Sequence, residues 1–94
     1  MNKFKIFKYH LEEPETTLDL PIGAVVRHVH EQSGAVTIWI EGAFDTPVRK
    51  SRTFVWVGTG HPIAYEERQY LGSVHVDQFV WHVFEVEDLR LISA

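Results

Sequence analysis

The fold is decided by the stretch Phe54-Val55-Trp56-Val57-Gly58-Thr59-Gly60-His61-Pro62. It begins with apolar side chains on both faces, which predicts a strand that is covered on both sides. One face must meet the internal core, and the other requires a second cover, either another subunit or a ligand. The strand then breaks into a glycine loop that ends at a His-Pro pair. Such a loop on a rigid sheet is a common place for a binding site.

The same alternation of apolar and polar side chains recurs along the chain. It predicts strands over residues 3–11, 16–20, 24–31, 35–41, 53–57, 70–76 and 79–86, separated by turn residues. We therefore expect a single all-β domain over residues 1–94, an antiparallel sandwich or barrel of about seven strands. Residues 63–68 allow one short helix, and residues 87–94 allow a helix or a final strand. A phase slip between Ile6 and Phe7 predicts a bulge or a change of packing partner, and Gly72 predicts a bulge or a close approach of another chain segment.

Composition limits the classes of function. The formal charge of −4 argues against binding a nucleic-acid polymer, but a small anion could be held by a few local cations. With no cysteine, disulfides and thiolate–metal sites are excluded, and no cofactor is expected. The aromatic content exceeds what a chain of this length easily covers, which favours a homo-oligomer. The chain has no signal-peptide pattern and no apolar run that could span a membrane, so we expect a cytoplasmic protein without a membrane partner.

The glycine loop is the first candidate binding site. Gly58 and Gly60 can aim backbone N–H groups at one point, as in an anion nest, while Thr59 adds a hydroxyl and His61 a ring donor. The alternative is a simple glycine turn that leaves His61 exposed.

A second candidate lies just upstream, where Arg49, Lys50 and Arg52 precede the aromatic strand. Arginines beside aromatic rings can bind phosphate or sandwich a base, although charged residues also protect sheet edges from aggregation. Trp56 and Trp81 could stack a base, and His82 could add a hydrogen bond. Trp39 completes a set of three mid-strand tryptophans, for which packing in a core or interface is the alternative.

His28 and His30 share one face of a predicted strand, as a metal-binding pair would. The glutamate of a cupin-like site is missing, so a third ligand would have to be His75 or His82. The alternative is two partly buried histidines without metal. No serine or cysteine sits in a recognised catalytic motif, so the sequence indicates a protein that is not an enzyme. A metal enzyme using His28 and His30, or a hydrolase using His61 and His82, is the rival interpretation.

Two motifs together resemble a family of small tailed-bacteriophage proteins of unknown function. They are Val57-Gly58-Thr59-Gly60-His61-Pro62-Ile63 and Phe79-Val80-Trp81-His82-Val83-Phe84-Glu85. The N-terminal strand and the segment from Val25 to Val29 are also similar. The resemblance extends to phage anti-CBASS proteins, which are non-enzymatic oligomers that sequester cyclic dinucleotide immune signals between subunits.

The resemblance and the residues together predict a homo-oligomeric sponge for a small anionic nucleotide, acting in the host cytoplasm. The residues expected to bind the ligand are Arg49, Arg52, Trp56, Gly58, Thr59, Gly60, His61, Trp81 and His82. The alternative is a phage structural or accessory domain that binds another protein. The base of the ligand, the number of subunits, and the choice between sandwich and barrel stay open.

Overall fold

The computed structural model describes residues 3–87, which form seven antiparallel strands and no helix. The all-β prediction is confirmed, whereas residues 63–67 are irregular rather than helical. The alternatives predicted for the tail concern residues 88–94, which lie outside the described residues. The strands are β1 (Phe4–His10), β2 (Glu15–Pro21), β3 (Val25–Gln32), β4 (Ala35–Ala43), β5 (Arg49–Gly58), β6 (Arg68–Val76) and β7 (Phe79–Val86).

The strands build a small β-sandwich of two sheets. The three-stranded sheet has the order β1-β4-β3, and the four-stranded sheet has the order β2-β5-β7-β6. Alternate side chains of both sheets point into one shared core, in which Leu20, Ile38, Ile40, Phe54 and Val83 have no exposed surface. The sheets approach each other closely where β3 meets β6, and there Gly72 lies against Val29.

β5 is the strand that the Phe54 stretch predicts, but it is longer than expected. It begins at Arg49 because its antiparallel pairing with β2 extends to the pair Pro21 and Arg49. Its other side pairs with β7, from Thr53 opposite Val86 to Gly58 opposite Trp81. β5 is therefore an interior strand, and its branched and aromatic side chains suit that position.

The outer face of the four-stranded sheet has a small core of its own. Val55, Phe84 and Val86 are buried there, with Val57 and Tyr65 packed against them. Tyr65 belongs to the connection between β5 and β6, and its hydroxyl donates a hydrogen bond to Glu15. The chain therefore covers Val55, Phe84 and Val86 with its own loop, whereas Tyr70 on the same face is 58% exposed. That a subunit or ligand covers the rest of this face stays a prediction.

The local irregularities were partly predicted. The bulge at Gly72 is confirmed by a register shift between Tyr70 and Gly72. The bulge expected at Ile6 and Phe7 is wrong, because β1 pairs with β4 in one unbroken register. Phe4 and Ile6 lie on one face of β1 and Phe7 and Tyr9 on the other, so apolar residues on both faces do not require a bulge.

We expect Phe54→Ala to lower the free energy of unfolding by roughly 3–5 kcal/mol, because it removes a fully buried ring from the centre of the core. Urea denaturation of the purified protein measures this change. Val48→Ala is the control, since Val48 is largely exposed and its loss should cost less than about 1 kcal/mol. Equal losses for the two variants would contradict the position assigned to the core.

Candidate functional site

β5 carries the predicted ligand residues at its two ends. Arg49 and Arg52 lie near its beginning, while Gly58 ends it and leads into Thr59 and Gly60. Arg52 and Gly58 are six positions apart on an extended strand, which corresponds to about 20 Å. One small ligand bound by a single chain therefore contacts one end or the other.

Arg52 is committed to other protein groups. Its Nε and Nη2 donate to the two carboxylate oxygens of Glu85, each at 2.7 Å, and its Nη1 donates to the Ala24 carbonyl. The side chain is only 15% exposed. The hydrogen bonds to Glu85 raise the pKa of Arg52, and burial opposes them only in part. The structure therefore gives Arg52 a structural role and does not support the phosphate contact predicted for it.

Arg49 is exposed at the start of β5, opposite Pro21 of β2. Burial raises the pKa of the Tyr9 hydroxyl, and the positive charge of Arg49 opposes that rise. Arg49 therefore lies near Tyr9 of the three-stranded sheet.

A cleft of about 460 Å³ opens beside Arg52, and we call it the charged cleft. Its remaining cations are Lys50 and Arg68, and its carboxylates are Glu67, Glu85 and Glu87; Pro21, Ile22, Gly23, Gln69 and Val86 complete its lining. Arg68 lies over the Phe84 ring and donates to the Tyr65 carbonyl (2.7 Å). The side chain of Lys50 makes no hydrogen bond or ion pair within residues 3–87.

Sequence reasoning missed Arg68 as a residue of this cleft. It sits in a polar segment between Glu67 and Gln69, and no local pattern marks it. Only the pairing of β6 with β7, which places Arg68 opposite Val86, brings it to the cleft.

At the other end of β5, three rings form what we call the aromatic row: Trp56, Trp81 and Phe79. Trp56 and Trp81 meet edge to face with centroids 4.9 Å apart, and Phe79 lies 5.8 Å from Trp81. Trp56 donates its indole N–H to the Leu11 carbonyl (2.9 Å), and both tryptophans pack on the core. Their packing supports the structural alternative, and Phe79, which is 53% exposed, is the ring most open to a ligand.

The glycine loop is a tight turn. A Cβ atom at Gly58 would lie 2.9 Å from Nδ1 of His61, so glycine permits the close approach of that ring. The amide of Thr59 donates to the Val80 carbonyl (3.3 Å), and that of His61 donates to the Gly58 carbonyl (3.0 Å). These two amides are engaged in the turn. The anion nest was predicted from the amides of Gly58 and Gly60, and it stays a prediction.

Thr59, His82, Ser73 and Tyr70 form a connected chain of hydrogen bonds that we call the hydroxyl–histidine row. Nε2 of His82 lies 2.8 Å from the Thr59 hydroxyl, and its Nδ1 lies 2.7 Å from the Ser73 hydroxyl, which in turn meets Tyr70 at 2.6 Å. A neutral ring satisfies both contacts, with one nitrogen donating and the other accepting. Because both nitrogens bind hydroxyls, no carboxylate orients His82 as in a catalytic triad.

Ser73 and Tyr70 are also residues that the sequence did not mark. Ser73 faces His82 only because the bulge at Gly72 sets the register between β6 and β7. The prediction that His82 offers hydrogen bonds to a ligand is untested, and the structure shows its ring already partnered within the chain.

His28 and His30 lie on the outer face of the three-stranded sheet, with ring centroids 5.6 Å apart. The ring centroids of His28 and Trp39 are 5.2 Å apart. Within residues 3–87 no group of three or more potential ligands could hold a metal ion. His75 and His82 belong to the four-stranded sheet, so the proposal that either completes a three-histidine site is wrong.

These features define a small two-sheet β-sandwich with a charged cleft at one end of β5 and an aromatic row at the other. The chain belongs to the family described as a domain of unknown function, DUF7352, whose model matches residues 1–91. No curated protein and no solved structure matches the chain. Residues 3–87 contain no helix that is long and apolar enough to cross a membrane.

We expect Arg52→Ala to destabilise the fold by roughly 2–4 kcal/mol, because it leaves the partly buried carboxylate of Glu85 without its cation. Thermal or urea denaturation measures the loss. The double variant Arg52→Met with Glu85→Leu should recover most of it, since no charge is then left unpaired. Removal of Arg27 is the matched control, because its ion pair with Glu41 is largely exposed. An Arg52→Ala loss no larger than that of Arg27→Ala would refute the structural role.

Proposed function

We propose that this protein is a non-enzymatic binding module that captures a small anionic nucleotide in the charged cleft. The observation that carries the proposal is the placement of Lys50 and Arg68 around one cleft, beside the Arg52–Glu85 ion pair, in a chain whose net charge is −4. A volume of about 460 Å³ lies within the range of about 300–1,000 Å³ that is usual for small-molecule sites.

The lining suits a nucleotide better than a bare phosphate. Lys50 and Arg68 supply positive charge for phosphate oxygens, and Gln69 can pair with a base edge. Glu67 and Glu87 are carboxylates that accept hydrogen bonds from ribose hydroxyls or an exocyclic amino group. Arg52 and Glu85, bound to each other, form a rigid wall between these groups.

Capture without chemical change fits the state of the side chains best suited to acid–base chemistry. Both carboxylate oxygens of Glu85 accept hydrogen bonds from Arg52. Both ring nitrogens of His82 bind hydroxyl groups. Either side chain would have to leave its present partners before it could move a proton on a substrate.

The resemblance to small tailed-phage proteins supports a cyclic dinucleotide immune signal as the ligand and the host cytoplasm as the place of action. In that setting the protein acts as an anti-CBASS sponge, which uses a site that binds its ligand without changing it.

A protein-interaction domain is the second candidate, and one observation favours it. Phe79 and Tyr70 are 53% and 58% exposed, on the two faces of the four-stranded sheet. Exposed aromatic side chains of this size are typical of protein interfaces. Loss of a partner protein after Phe79→Ala, with the charged cleft unchanged, would favour a phage accessory role over nucleotide capture.

We expect a cyclic dinucleotide to raise the Tm of the wild-type protein, because a ligand that binds only the folded state stabilises it. At one hundred times its Kd the gain is about 2.7 kcal/mol. In a domain of this size each kcal/mol corresponds to a Tm increase of about 4–8 °C. A thermal-shift screen of cyclic dinucleotides, mononucleotides and inorganic phosphate measures the effect.

The double variant Lys50→Gln with Arg68→Gln should lose the Tm increase. Lys3→Gln with Lys8→Gln is the matched control, since it makes the same change in charge away from the charged cleft and should keep the increase. Recovery of the nucleotide intact after incubation tests the non-enzymatic part. No Tm increase with any nucleotide, or an equal increase in the cleft variant, would refute the proposal.

A further inference from the structure

We infer that β1 is a self-association edge, at which two copies of this chain pair β1 with β1 in an antiparallel register about a two-fold axis at Phe7. The two three-stranded sheets then join into one continuous sheet of six strands. The inference does not depend on the charged cleft or on its ligand.

The first evidence is the exposure of β1. β1 is an edge strand of its sheet, and its only strand partner among residues 3–87 is β4. Phe4, Ile6 and Phe7 are 67%, 56% and 45% exposed. Large apolar side chains thus stand on both faces of a strand whose outer edge is open, which is the arrangement that pairs with another strand.

The second evidence is the direction of the backbone groups. The amide of Leu11 donates to the Val36 carbonyl (2.7 Å), directly after the last pair of the β1–β4 ladder. Since hydrogen-bonded pairs alternate in an antiparallel ladder, the odd-numbered residues of β1 bond to β4. The even-numbered residues therefore turn their N–H and C=O groups to the open edge; they are Phe4, Ile6, Lys8 and His10.

A two-fold axis at Phe7 pairs the outward backbone groups of one copy with those of the second copy. Phe4 then faces His10 of the second copy, and Ile6 faces Lys8 of the second copy, so every outward amide meets an outward carbonyl. All seven residues of β1 take part. Moving the axis to Lys8 would place two lysines face to face, and moving it to Ile6 would leave His10 unpaired.

The side chains fit the same axis. Phe7 packs edge to face on Phe44 with centroids 4.6 Å apart, beside a groove of about 190 Å³ that Lys3, Lys5 and Asp45 also line. The axis brings the Phe7 rings of both copies together at this groove. Lys5 faces Tyr9 of the second copy, and β1 contains no two lysines that meet. The aliphatic parts of the lysines can cover the apolar surface while their charges stay in water.

The other sheet edges are less suited to self-pairing. β3 and β6 face each other within one chain, where Val29 contacts Gly72. The edge of β2 presents Glu15 and Asp19 and ends at Pro21, so it is polar and acidic. β1 is therefore the edge that combines open backbone groups with apolar side chains.

The test uses Ile6→Pro, which removes one outward amide without removing a donor of the β1–β4 ladder. We expect the wild-type chain to have twice the mass of one chain in analytical ultracentrifugation at high concentration, and Ile6→Pro to have the mass of one. Asp19→Pro is the matched control and should stay dimeric. Its amide also points to an open edge, because the Trp56 amide donates to the Pro14 carbonyl and so sets the phase of the β2–β5 ladder.

Hydrogen exchange of the wild-type protein gives an independent measurement that does not require a variant to fold. The amides of Ile6 and Lys8 should exchange slowly at high concentration and at least tenfold faster on dilution. The amides of Lys5 and Phe7, which bond to β4, should change less. A monomeric wild-type chain, a dimer that survives Ile6→Pro, or fast exchange at Ile6 and Lys8 at every concentration would overturn the inference.

Discussion

The fork of hydrogen bonds from Arg52 is the constraint on which the rest of the sandwich depends. It joins β5 to β7 through Glu85 and reaches Ala24, just before β3 of the other sheet. The guanidinium also lies over Phe54, at the centre of the core. A charge this close to an apolar core requires a partner of opposite charge, because a buried unpaired charge is strongly destabilising. The Arg52–Glu85 ion pair therefore fixes how the two sheets pack at this point. The same pair forms one wall of the charged cleft.

A chain of this length buries few hydrophobic residues, and the fold places them in two separate clusters. The main core lies between the sheets, and the smaller one lies under Tyr65 on the outer face of the four-stranded sheet. The part of the β5–β6 connection around Tyr65 therefore belongs to the hydrophobic structure. Tyr65, which follows the glycine loop in this connection, packs against the buried side chains of Val55 and Phe84.

The strands could be predicted from the sequence because the alternation of side chains is local, and seven of them were found. What could not be predicted is which strands meet. Arg52 and Glu85 are 33 positions apart, and only the β5–β7 register makes them partners. Because strand pairing is not visible in the sequence, Ser73 and Tyr70 were not predicted as neighbours of His82. For the same reason Arg52 was predicted to bind phosphate, although it binds Glu85. The bulge inferred at Ile6 was an error of another kind, since β1 carries apolar residues on both faces in an unbroken register with β4.

The order of the strands also affects how the chain folds during synthesis. β1 pairs with β4 and β2 pairs with β5, so during synthesis β1 has no neighbouring strand until β4 is made, and β2 has none until β5 is made. Only β3 with β4 and β6 with β7 can form as local hairpins. Such non-local topologies fold slowly, and their unpaired strands are prone to aggregate meanwhile. Lys5 and Lys8 of β1 would reduce aggregation of the nascent chain on the ribosome before β4 is made.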